Sequence, residues 1–221
     1  MSTESLRIAV LASGAGSNLQ ALIDAIAAHS LPARIVGVFS DKPACLALER
    51  ARDAGIQGTV VSPKAFASRE AYDVEFFAAV DAADPDLIVC AGYMRLISPA
   101  AVNARPDRMI NLHPSLLPAF KGLHTHQQAL DAGAHEHGAS VHVVTADLDG
   151  GPVIAQACVP VQADDDAQTL AARVRERERP LLVETVRLLA NRQLALRDGA
   201  IFLNGKRLRT PLQLSAIHSL P

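Results

Sequence analysis

A chain of 221 residues that is 49% hydrophobic and 20% charged has the balance of a folded globular protein, which excludes a disordered or fibrous one. Its formal net charge of −2, from 21 basic and 23 acidic residues, excludes a strong global pull toward nucleic acid or an acidic membrane surface. Three scattered cysteines, Cys45, Cys90 and Cys158, form no C-x-x-C pair, which argues against a disulfide framework or thiolate zinc site and fits a reducing cytoplasm.

The chain reads as one domain, 1–221. The N-terminus lacks the basic start and long apolar middle of a signal peptide, and no apolar run is long enough to suggest a membrane span. With two Tyr and no Trp, aromatic stacking platforms for single-stranded nucleic acid are not expected.

Residues 7–12 form a nearly continuous apolar strand, of the kind buried on both faces of a parallel sheet. Residues 18–28 carry Leu19, Leu22, Ile23 and Ile26 at helical spacing. A second strand (34–39), a second helix (44–54, stopped by Gly55), a third strand (58–61), a third helix (69–82), a fourth strand (86–91) and a fifth (109–112) follow. This alternation predicts an α/β fold, an open and mostly parallel Rossmann-like sheet with helices on both faces, with ligands beyond the carboxyl ends of the strands. The pattern then changes. Residues 139–145 and 152–161, rich in β-branched residues and separated by a Gly-Gly turn, predict two added antiparallel strands. Residues 166–190 read as helix interrupted at Pro180, and 198–206 as a hairpin turning at Asn204-Gly205. The last residues are expected to be mobile.

The first strand runs into Ser13-Gly14-Ala15-Gly16-Ser17-Asn18, and a helix starts at once. Glycines permit tight turning and close ligand approach, and free N–H groups at a helix start favour an anion. The dinucleotide fingerprint fails because Leu19 stands at its third glycine position, and no G-x-x-x-x-G-K-[ST] is present. The loop alone leaves two readings open: a turn that binds nothing, and a cradle for one phosphate.

The fifth strand continues into Asn111-Leu112-His113-Pro114, which places Asn111 and His113 on one face near the strand's carboxyl end. An amide beside an imidazole at that position points to a polar active centre. Asp149 lies in the turn Asp147-Leu148-Asp149-Gly150-Gly151, where turn chemistry alone would explain it. Spacing does not bring it to His113; if the two meet, the carboxylate favours the charged imidazole.

Residues 13–20, 91–99, 111–118, 122–130 and 148–152, in this order and without a long insertion, resemble the phosphoribosylglycinamide formyltransferases of the folate-dependent formyltransferase family. The resemblance spans about 7–210. It implies formyl transfer from N10-formyltetrahydrofolate, as co-substrate, to the amine of glycinamide ribonucleotide in purine synthesis, without a metal. It also implies that Asn111, His113 and Asp149 are catalytic, that Gly16, Ser17, Asn18 and Glu178 hold the ribonucleotide, and that Arg69, Met94, Arg95, Leu96, Ile97 and Asn111 hold the folate. Residues 7–108 are expected to serve as a phosphate-binding half and 109–210 as a catalytic and folate-binding half. A cytoplasmic monomer or homodimer acting on small molecules, with no nucleic acid and no membrane partner, is the corresponding expectation.

One departure stands out. The resemblance implies Glu-His near Glu178, whereas this chain reads Glu178-Arg179-Pro180. Contact with substrate and a place in the solvated run 173–179 both stay open for Glu178. His124 and His126 lack the companions of a metal site, although His124 is placed to line the pocket. His135 and His137 read as solvated, and His142 as a core or pocket-wall residue. Formyltransferases acting on initiator tRNA or sugar nucleotides resemble the chain around Asn111 and His113 but carry a further domain, as do formyl-folate hydrolases. A non-catalytic binding protein is the remaining alternative.

Overall fold

The computed structural model describes residues 5–221. In chain order the elements are β1 (Leu6–Leu11), α1 (Ser17–Ala27), β2 (Ala33–Ser40), α2 (Leu46–Asp53), β3 (Gly58–Val60), α3 (Arg69–Ala82), β4 (Leu87–Cys90), α4 (Pro99–Asn103), β5 (Met109–His113), α5 (Thr125–Asp131), β6 (Glu136–Val143), β7 (Val153–Pro160), α6 (Ala167–Ala190), β8 (Leu194–Arg197), β9 (Ala200–Leu203), β10 (Lys206–Arg207) and β11 (Leu212–Gln213).

Among the described residues the main sheet has the order β11-β7-β6-β5-β4-β1-β2-β3. Strands β1 to β5 are parallel, β6 runs against them, β7 pairs antiparallel with β6, and β11 adds parallel to β7. The chain moves outward from β1 to β3 and then returns to β4 on the other side of β1. That reversal opens a crevice between the loops after β1 and β4, where an open α/β sheet binds its ligands. The Ser13 N–H donates to the Gly92 carbonyl at 3.0 Å, tying the two loops together.

Both faces of the sheet are covered, as near-continuous apolar strands require. In β1, Ile8 and Val10 face a core shared with α1, α2 and α6 through Leu19, Leu22, Ala47, Leu170 and Leu181. Ala9 and Leu11 face the opposite core, built on α3 by Tyr72, Phe76, Phe77 and Val80. No helix among the described residues is long and apolar enough to cross a membrane.

Two expectations are corrected. Helix α6 is not interrupted: it runs unbroken from Ala167 to Ala190 with Pro180 inside it. Burial of Val174, Leu181, Leu182 and Val186 against the sheet outweighs the hydrogen bond that the proline removes. The C-terminal residues expected to be mobile instead supply β11, and Leu212, Leu214 and Leu220 are buried. The hairpin at Asn204-Gly205 is present as β9 and β10, which β8 extends to a three-stranded sheet. The short helix α4 had no apolar period long enough to announce it.

Candidate active site

Strand β5 delivers Asn111 and His113 to the carboxyl edge of the sheet. His113 is buried, and its Nε2 lies 3.0 Å from the Phe120 carbonyl. A carbonyl only accepts, so Nε2 carries a proton. Its Nδ1 faces Asp149 Oδ2 at 3.5 Å. Both ring nitrogens thus face an oxygen acceptor. Asp149 Oδ2 also accepts the Gly122 N–H at 2.9 Å, so one carboxylate ties together the β5 end, the loop before α5 and its own turn. That turn folds back tightly: a Cβ on Gly151 would lie 1.9 Å from the Val143 carbonyl oxygen, so only glycine fits. Asp149 itself sits at φ +45, which Asp tolerates better than most residues.

Asn111 pairs across β5 and β6 with His142, and its Nδ2 lies 3.1 Å from His142 Nε2. His142 Nδ1 lies 3.0 Å from the Val143 carbonyl and therefore carries that ring's proton. Its Nε2 is then an acceptor, which turns the Asn111 amide so that nitrogen faces it. One Asn111 N–H is thus occupied and the other is left for the cavity. Burial holds the His142 pKa below its ordinary value, consistent with a neutral ring, while Asp149 Oδ1 at 3.6 Å pulls the other way.

The loop after β1 ends at Gly16, the N-cap of α1, at φ +69. Gln20 N–H bonds back to the Gly16 carbonyl, so the N–H groups of Ser17, Asn18 and Leu19 precede the helix's own ladder. Ser13 Oγ holds the loop in place, donating to Asp41 Oδ1 at 2.6 Å and accepting the Met94 N–H at 3.0 Å. A Cβ at Gly16 would come within 2.7 Å of Ala47 Cα. Gly16→Ala is therefore expected to cost at least about 1–2 kcal/mol of stability, from left-handed strain plus the clash, measurable by urea unfolding.

Asn18 Nδ2 donates to Glu178 Oε2 at 3.3 Å, so α6 reaches the start of α1 across 160 positions of sequence. Glu178 is 9% exposed. It therefore does not belong to the solvated run, and the open choice is resolved toward the interior. Desolvation raises its pKa, against the Asn18 hydrogen bond and the charges of Arg175, Arg179 and His113.

Beside this centre lies a cavity of about 950 Å³, lined by Arg69, Tyr93 to Ile97, Asn111, His113, His124, His142 and Asp149. Met94, Leu96, Leu123 and Leu148 are more than half exposed along it, an apolar wall that suits a flat, largely apolar ligand. Arg95 stacks on the Tyr72 ring at 4.8 Å, and its buried Nε has no partner; Asn18 Oδ1 is likewise buried without one. Arg69 sits at the cavity edge at the first position of α3, its nearest acid being Glu70 at 3.4 Å. Cys90 also lines the cavity, and burial pushes its thiol up to about 12, far from a reactive thiolate.

The formyl transferase family pattern matches residues 6–186. The chain belongs to the formyl transferase family. Phosphoribosylglycinamide formyltransferase of Escherichia coli (strain K12) is 48% identical over 203 residues, covering 92% of this chain and 96% of that one. The trifunctional purine biosynthetic protein adenosine-3 of Drosophila melanogaster is 47% identical over 187 residues, 84% of this chain but 14% of that much longer one. The solved phosphoribosylglycinamide formyltransferase of Coxiella burnetii superposes with a TM-score of 0.88 at 42% identity, covering 93% of this chain and 96% of that one.

In this formyl transferase Asn111, His113 and Asp149, the expected trio, lie on one cavity wall, and His142, expected as a core or pocket-wall residue, lines the same cavity beside Asn111. The hairpin β6–β7 was legible, but the register of β6 on β5, which sets His142 opposite Asn111, was not. His137 corrects an expectation, since it is fully buried in β6 with Nε2 3.1 Å from His126 Nδ1. His135 is exposed as expected. Burial, then the neighbouring His126, lowers the His137 pKa from 6.5 to about 4. The unfolded chain therefore binds the extra proton first. Stability from this group is intact above pH about 6.5 and falls by about 3 kcal/mol toward pH 4. Urea unfolding at both pH values checks this, and His137→Gln should flatten that part of the dependence.

Proposed function

We propose that this formyl transferase moves the formyl group of N10-formyltetrahydrofolate to the amine of glycinamide ribonucleotide, yielding formylglycinamide ribonucleotide and tetrahydrofolate in purine synthesis. The observation that carries the proposal is the convergence of Asn111, His113 and Asp149 on one wall of a cavity with an apolar rim, beside a helix N-terminus suited to a phosphate. In this reading Gly16, Ser17, Asn18 and Glu178 hold the ribonucleotide, and Arg69 with Met94 to Ile97 and Asn111 hold the folate. The enzyme acts in the cytoplasm on small molecules, as a monomer or homodimer, without nucleic acid or membrane.

The folate supplies the formyl carbon and the ribonucleotide supplies the attacking amine. As the new C–N bond forms, the carbonyl electron pair moves onto oxygen. Asn111 offers that oxygen its free N–H. His113 offers its Nε2–H, which the Phe120 carbonyl holds in the structure and exchanges for the substrate oxygen. Asp149, facing His113 Nδ1, steadies the proton passing from the amine to N10 as the C–N10 bond breaks. Donors placed where charge develops contribute about 3–4 kcal/mol each, and alignment of the two substrates about 7–11 kcal/mol. Positioning is thus the larger part. The test is release of deformylated folate, followed by absorbance, with and without glycinamide ribonucleotide. Release that requires the amine supports transfer; equal release without it indicates hydrolysis, and no release indicates a binding protein.

A further inference from the structure

The turn of α6 that carries Glu178 is weakened from within and held from outside. Pro180 has no N–H, so the Glu176 carbonyl lacks its helical donor in this turn. One residue before Glu178, the Arg177 Nη2 nitrogen donates to two carbonyls of the C-terminal segment, Leu214 at 3.0 Å and Ser215 at 2.8 Å. Those carbonyls are themselves fixed. The Leu214 N–H bonds to the Gln156 carbonyl on β7, Ser215 closes a turn with Ser219, and the Leu220 N–H reaches Glu184 Oε2 further along α6. Leu212, Leu214 and Leu220 are buried beneath this segment. The segment thus bolts one turn of α6 to the edge of the main sheet.

We propose that Arg177 is a positioning residue. Through the strap formed by residues 212–220, it sets the rotation of the α6 turn that presents Glu178 to Asn18, and with it the grip on the ribonucleotide. The inference rests on the reading of Glu178 as a substrate-contacting residue. Arg173 is tied elsewhere, to Asp165, so Arg177 is the guanidinium of α6 that joins this turn to the strap.

Arg177→Met keeps the aliphatic stem and removes both donations. It is expected to raise KM for glycinamide ribonucleotide about five- to tenfold, with kcat and the KM for formyl-folate within twofold. Arg177→Lys should recover part of the loss and serves as the working variant if the methionine form folds poorly. Pro180→Ala restores an N–H to the Glu176 carbonyl and should shrink the Arg177→Met effect. In a Glu178→Gln background the Arg177→Met effect on KM should largely vanish. A lowered melting temperature with unchanged KM, or the same KM factor in both backgrounds, would overturn the proposal. If Glu178→Gln alone leaves KM unchanged, the Glu178 reading itself fails and the inference falls with it; a KM raised by Glu178→Gln but not by Arg177→Met sinks only the inference.

Discussion

His113→Ala is expected to lower kcat by about 10²–10³-fold while both KM values change only a few-fold. In the proposed mechanism the imidazole sits where charge develops, so its loss removes a donor used in the transition state and little of the ground-state binding. The apolar rim of Met94, Leu96, Leu123 and Leu148 and the loop at Gly16 do not depend on it. His113 is buried with both nitrogens engaged, so the cavity left by alanine also costs stability, and unfolding should be measured alongside. Steady-state kinetics on folded protein decide the matter: turnover near that of the unsubstituted enzyme removes His113 from the mechanism.

Asp149→Asn should lower kcat by about 10²–10⁴-fold at neutral pH. The substitution is isosteric, and its remaining oxygen can still accept the Gly122 N–H, so the turn should persist. What disappears is the negative charge before His113 Nδ1. The same change has a spectroscopic signature at His142. Its pKa is held down by burial and raised in part by Asp149, so removing the carboxylate drives it lower still. NMR titration of the histidines should show His142 staying neutral to a lower pH in the variant. An unchanged His142 titration together with full activity would refute the electrostatic role of Asp149.

The parallel half of the fold was legible because its signals are local. Unbroken apolar strands such as Ile8 to Leu11, helical spacing at Leu19 and Leu22, and punctuation by Gly55 and Pro85 each act over a few residues. Asn111 and His113 were legible together because two-residue periodicity on one strand fixes their common face. What stayed hidden depends on long-range register. The contact of Asn111 with His142 follows from how β6 pairs with β5. The burial of Glu178 follows from α6 packing against α1, and a charged run around it carried the opposite local signal. Pro180 misled for a related reason: helix propensity is local, whereas the buried face of α6 outweighs it. The strap at 212–220 was missed because two-residue pairing onto an edge strand leaves no periodicity to read.

The most direct test is a crystal structure of the ternary complex with glycinamide ribonucleotide and a formyl-folate analogue whose N10 is replaced by carbon, so that the formyl group cannot leave. The formyl oxygen is expected about 3 Å from Asn111 Nδ2 and His113 Nε2, with the amine facing the formyl carbon and the phosphate on the N–H groups of Ser17 and Asn18. A formyl group seated away from Asn111 and His113, or a phosphate bound elsewhere, would contradict the proposal.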